Sequence, residues 1–126
     1  MEPLVIPASD DTPEIVLNSL LGKFEIIGRS LPEDVIEFYT PVYKWLDDYV
    51  ADPLDDTLFR VKIIYFNSAS QRALNEIFTI LSRIVVKGKE ITVEWFFHED
   101  DDEMKEAGEE YADLSNIPFI FKTYVL

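Results

Sequence analysis

The 126-residue chain contains no cysteine, which excludes disulfides, thiolate nucleophiles and cysteine-based zinc sites and fits a reducing compartment, the cytoplasm. Histidine occurs once, at His98, so neither a histidine pair for zinc nor a second imidazole for a triad is available. No stretch approaches the roughly 18 apolar residues of a membrane span, and Met1 to Asp11 lacks the cationic and apolar regions of a signal peptide. Basic side chains are scarce: 11 against 25 acidic ones, for a net charge of −14 and a pI near 4.2. Such a field repels phosphate backbones and anionic headgroups, so neither nucleic acid nor membrane is an expected partner.

What is present is a core. Hydrophobic residues make up 48% of the chain and aromatics 13%, enough for residues 1–126 to fold as a single domain despite the charge. No internal repeat or low-complexity linker divides it.

The residues up to Asp11 read as a polar leader. Glu14–Asn18 and Lys23–Arg29, joined by turn residues from Asn18 to Gly22, predict an antiparallel hairpin. Ser30-Leu31-Pro32-Glu33-Asp34 predicts a helix start, with Pro32 at a first helical position. Pro41 lacks a backbone N–H, so this helix is expected to kink, or to stop near Tyr39 and restart with Thr40 as cap. Val42, Trp45, Leu46 and Tyr49 follow at helical spacing, a stripe read as core packing rather than a ligand pocket.

A strand from about Thr57 to Phe66 is apolar enough near its end to be buried on both faces. The helix after it carries Leu74, Ile77, Phe78, Leu81, Ile84 and Val85 at a 3.6-residue period and stops at Gly88. Lys89–Phe97 reads as a strand with Ile91, Val93 and Trp95 on its covered face. A helix from about Asp101 to Leu114, burying Met104, Ala107, Tyr111 and Leu114, leads to a last strand over Pro118–Leu126. Helices between successive strands require crossovers, so the fold class is α/β: one mixed sheet with an N-terminal antiparallel hairpin, the remaining strands largely parallel, covered by helices.

Two stretches invite chemistry. His98-Glu99-Asp100-Asp101-Asp102-Glu103 offers oxygen ligands, but without the glycine and alternating spacing of a calcium loop it reads as a solvated helix N-terminus, and no metal or other cofactor is assigned. Tyr65-Phe66-Asn67-Ser68-Ala69-Ser70-Gln71-Arg72 is a polar junction between the strongest strand and the clearest helix. Ser68 with Gln71 fits a capping box. The same geometry suits a phosphate, because an anion is favoured at a helix N-terminus.

Thr12-Pro13-Glu14-Ile15, Gly28-Arg29-Ser30-Leu31-Pro32-Glu33, Phe38-Tyr39-Thr40-Pro41-Val42 with Trp45 and Tyr49, Tyr65-Phe66-Asn67-Ser68, and Asp101-Asp102-Glu103-Met104 with Glu106-Ala107-Gly108-Glu109 together resemble the SiaC-like bacterial regulatory phosphoproteins. The resemblance covers nearly the whole chain. It implies a phosphoacceptor after Tyr-Phe-Asn, typically threonine and here Ser68, a dedicated Ser/Thr kinase, and a PP2C-type phosphatase. It also implies an unphosphorylated form that binds and activates a diguanylate cyclase in cyclic-di-GMP and biofilm signalling. The family's Ser-Ser-Ser-Lys run is Ala69-Ser70-Gln71-Arg72 here. The predicted topology is similar, at the level of fold and switch position, to STAS-type anti-sigma-factor antagonists.

The expected function is therefore that of a non-enzymatic partner-switching protein, with Ser68 phosphorylated and Asn67, Ser70 and Arg72 in the surface that binds an effector. Two rivals are a structural adaptor without a phospho-switch and a carboxylate- or metal-dependent enzyme using residues 98–103. Equal partner binding by Ser68→Ala and Ser68→Asp distinguishes the first, and a stability gain on adding Mg²⁺ the second.

Overall fold

A computed structural model describes residues 1–125. Six strands and three helices follow the order β1 (Leu4–Ile6), β2 (Glu14–Asn18), β3 (Lys23–Ser30), α1 (Val35–Ala51), β4 (Asp56–Phe66), α2 (Ser68–Val86), β5 (Glu90–His98), α3 (Asp102–Ser115) and β6 (Phe119–Tyr124). They form one sheet in which spatial order equals chain order. The β1–β2 and β2–β3 pairs are antiparallel, and β3 through β6 are parallel. The expected mixed sheet and hairpin are present. Leu126, the end of the predicted last strand, lies outside the described residues.

Right-handed crossovers between adjacent parallel strands put every helix on one face of the sheet. The burial pattern agrees. Phe59, Val61 and Ile63 of β4 are buried under the helices, while Arg60 and Ile64 on the opposite face are exposed. The strand is therefore covered on one side only, which corrects the expectation of burial on both. On the covered side Phe24, Trp45, Tyr49 and Phe59 pack as one aromatic cluster, and Phe78, Trp95, Tyr111 and Phe119 as another.

Three local readings also change. The leader contributes β1, whose Leu4–Ile6 pairs with Ile15–Leu17, and the carbonyl of Glu2 accepts from Trp45 Nε1 at 2.7 Å. Helix α1 runs unbroken through Pro41 and is capped by Asp34, which accepts from Glu37 N–H at 3.1 Å, so Pro32 precedes the helix. Burial of Tyr39, Val42, Trp45 and Leu46 along one stripe holds it continuous past the missing N–H. In α3, Leu114 is exposed, and the small residue at the sheet is Gly108. A Cβ there would come within 2.5 Å of Trp95 Cδ1 and Nε1, so glycine is what lets α3 lie against Trp95, whose Nε1 donates to Met104 O at 2.9 Å.

Candidate functional site at the start of α2

Gly28 carries a φ of +131°, a conformation open to glycine, and marks an irregularity in the β3–β4 pairing. Ile63 pairs with Gly28 and Tyr65 with Arg29, so Ile64 has no opposite number. The shift sets Ser30 opposite Phe66, at the foot of α2.

There a buried chain of hydroxyls forms. Ser70 Oγ donates to Ser30 O at 2.9 Å and accepts from Ser30 Oγ at 2.9 Å. Ser30 Oγ, having given its proton to Ser70, accepts from the Tyr39 hydroxyl at 2.6 Å. Burial pushes the Tyr39 hydroxyl up to about 12, so it remains a donor throughout the physiological range. Ser30, Ser70 and Tyr39 are all fully buried. The first turn of α2 is thus locked to the end of β3 and to α1.

The cap of α2 is Asn67, not Ser68. Asn67 Oδ1 accepts from Ser70 N–H at 2.9 Å, and Asn67 O from Gln71 N–H at 3.0 Å. This replaces the expected Ser68–Gln71 capping box. Ser68 becomes the first helical residue, exposed and with its hydroxyl free of the capping role. One turn on, Arg72 is exposed as well; both line a groove of about 330 Å³ between α2 and α3, together with Glu110, Tyr111 and Leu114. The Tyr111 hydroxyl closes the floor by donating to Gln71 O at 2.7 Å, and burial, reinforced by the Glu110 charge, raises its pKa.

The structure therefore brings Ser68 and Arg72 together on the surface and assigns the other two expected contact residues elsewhere. Asn67 is half-buried and caps the helix. Ser70 cannot touch a partner, because it is wholly enclosed in the hydroxyl chain. Ser30 and Tyr39 were not anticipated as part of the site, although both stand in the segments that carry the family resemblance. The acidic run behaves as a helix start: Asp101 caps α3 by accepting from Met104 N–H at 3.0 Å, and Asp102 and Glu103 occupy its first turn. No helix among the described residues is long and apolar enough to cross a membrane.

The fold is shared with solved structures of Pseudomonas aeruginosa SiaC. Apo-SiaC superposes with a TM-score of 0.87 at 25% identity, covering 98% of this chain and 100% of that one. SiaC in complex with the diguanylate cyclase SiaD, which it activates, gives a TM-score of 0.88 at 24% identity, covering 96% and 99%. An uncharacterized protein of Pseudomonas aeruginosa strain UCBPP-PA14 is 24% identical over 124 residues, 98% of each chain. Residues 6–124 match the family described as SiaC family regulatory phosphoprotein. With the match running from β1 to the end of β6, the chain belongs to the SiaC family of regulatory phosphoproteins.

Proposed function

We propose that this chain is a non-enzymatic cytoplasmic switch whose unphosphorylated form binds and activates a diguanylate cyclase, and whose Ser68 is phosphorylated by a Ser/Thr kinase and cleared by a PP2C-type phosphatase. The observation that carries this reading is the placement of Ser68. It is an exposed hydroxyl at the first position of α2, relieved of capping by Asn67 and supported from beneath by Ser70. A kinase can reach it without unfolding the helix. A phosphate there adds about −1.5 to −2 charges at pH 7, stabilised by the helix N-terminus and by Arg72 one turn away. The fold survives the modification while the surface changes charge.

Mass measurement of the protein from its native host, with and without phosphatase, tests the first half. A phosphate adduct mapped to Ser68 and removed by the phosphatase is expected. Titration of the Ser68→Ala and Ser68→Asp variants against a diguanylate cyclase tests the second. Loss of about 3 kcal/mol in the Asp variant, a hundredfold in affinity, is the expected scale. Equal affinity of the two variants overturns the switch and favours a constitutive adaptor.

A further inference from the structure

Arg72 stands on the crest of α2 and borders two grooves at once. On one side it lines the α2–α3 groove with Ser68, Asn75, Glu110 and Tyr111. On the other it lines a groove of about 290 Å³ between α1 and α2, with Ile36, Tyr43, Ala69 and Glu76. Among the described residues it is the only basic side chain on the walls of either groove, and each groove holds one carboxylate, Glu110 on the Ser68 side and Glu76 on the other. The Glu76 charge reaches α1, because after burial it is what raises the pKa of the Tyr43 hydroxyl.

Arg72 is exposed and, among the described residues, takes part in no ion pair. The other arginine of α2, Arg83, is by contrast committed to Asp47 of α1. With one carboxylate on each side, neither groove has a claim on the Arg72 guanidinium. A phosphate on Ser68 ends that balance. It adds about −1.5 to −2 charges and three acceptor oxygens to one side only. It also lies four residues before Arg72 on the same helix, the favourable order for an anion and a cation one turn apart, and its oxygens suit the two-pronged guanidinium.

We propose that Arg72 reads the switch: a phosphate on Ser68 draws its guanidinium into the α2–α3 groove and takes it from the α1–α2 groove. The inference rests on Ser68 being the phosphorylated residue. One modification then alters two surfaces. The α2–α3 groove gains a partly neutralised dianion. The α1–α2 groove, which receives no phosphate, passes from one charge of each sign to the Glu76 carboxylate alone beside the apolar Ile36 and Ala69. A partner seated on α1 and α2 therefore meets a changed surface without touching the phosphate.

The test uses the full chain with phosphoserine installed at position 68 by amber suppression, so no kinase is needed. Phosphorus NMR follows the second ionisation of the phosphate with pH in the parent, Arg72→Gln and Arg72→Lys. The other titratable groups of that groove, Glu110 and Tyr111, are the same in all three, so a difference belongs to Arg72. The phosphate pKa is expected about half a unit or more lower in the parent than in Arg72→Gln, with Arg72→Lys recovering part of the difference because it keeps the charge but not the fork. Amide spectra supply the second readout. The Ile36 and Tyr43 signals of α1 should move on phosphorylation in the parent and stay in place in Arg72→Gln. Equal phosphate pKa values in the parent and Arg72→Gln, or α1 shifts that persist in Arg72→Gln, overturn the proposal and leave the switch standing. Ser68 found unmodified in the native host overturns the reading on which the proposal rests.

Discussion

Asn67 and Ser68 are adjacent, yet the structure gives them opposite duties, and substitution separates them. Asn67→Ala deletes the Oδ1 that accepts from Ser70 N–H at 2.9 Å, leaving a donor of the first turn uncapped in a part-buried site. Loss of such a cap costs about 1 kcal/mol and at most about 2. For a domain of this size that lowers the melting temperature by about 3–6 °C per kcal/mol. Ser68→Ala touches neither the cap nor the hydroxyl chain, so its effect stays within about 0.5 kcal/mol. Ser68→Asp places a negative charge at the first helical position and gains about 0.3–1 kcal/mol. Ser70→Ala leaves both Ser30 O and Ser30 Oγ short of a buried partner and costs more than any of these, about 2 kcal/mol or above. Urea denaturation of the four variants, with unchanged m-values, reads the order directly. If Ser68→Ala loses as much stability as Asn67→Ala, Ser68 is a cap after all and the reasoning fails.

Gly108→Ala gains about 1 kcal/mol of helix propensity but drives a methyl to 2.5 Å from Trp95, which its hydrogen bond to Met104 O holds in place, so a net loss of about 1–2 kcal/mol is expected. Denaturation of Gly108→Ala in a Trp95→Phe background checks the cause: the penalty should shrink there, because phenylalanine lacks Nε1 and is not tied to Met104 O, and equal penalties in both backgrounds would show that the tethered indole is not responsible. Glu94 is 5% exposed, and its hydrogen bonds from Lys122 and Arg60 hold its carboxyl below the usual glutamate range. A depressed folded pKa gives stability that is full above the unfolded value near 4.5 and lost as pH falls through the folded one. Melting curves from pH 6 downward to about 3 should therefore fall more steeply for the parent than for Glu94→Gln. Parallel curves would remove Glu94 from the acid response.

Most elements were legible because hydrophobic period and turn chemistry are local. Leu74, Ile77, Phe78, Leu81 and Ile84 mark α2 without reference to anything else, and Asn18 to Gly22 mark the hairpin turn. The misreadings concern what only pairing decides. Three residues between Pro3 and Pro7 carry too little pattern to announce β1; their strand exists because β2 offers an edge. The stretch from Val61 to Phe66, with almost no polar alternation, looks like a doubly covered strand, whereas strand order equal to chain order leaves one face bare. Pro41 argued for a break that the buried stripe of α1 overrides. At the candidate site the junction itself was readable, but the choice between Asn67 and Ser68 as cap turns on one residue of register. The Ser30–Ser70 contact joins residues 40 apart, beyond any local signal. The charge ladder Glu25–Arg60–Glu94–Lys122 is likewise spread over four strands and appears only once they are aligned.

That the strands lie side by side in the order they are encoded also bears on time. A ribosome releases the chain from its N-terminus, so each new strand meets the one just laid down and the sheet grows in a single direction. When α2 has emerged, Ser30, Tyr39, Asn67 and Ser70 are all available, and the hydroxyl lock beneath Ser68 can close before Trp95 or α3 exists. The last contact added at that end is the bond from Tyr111 to Gln71, which seals the groove beside Arg72. The turn that carries Ser68 is thus among the early-finished parts of the molecule, and the wall that borders it is among the last.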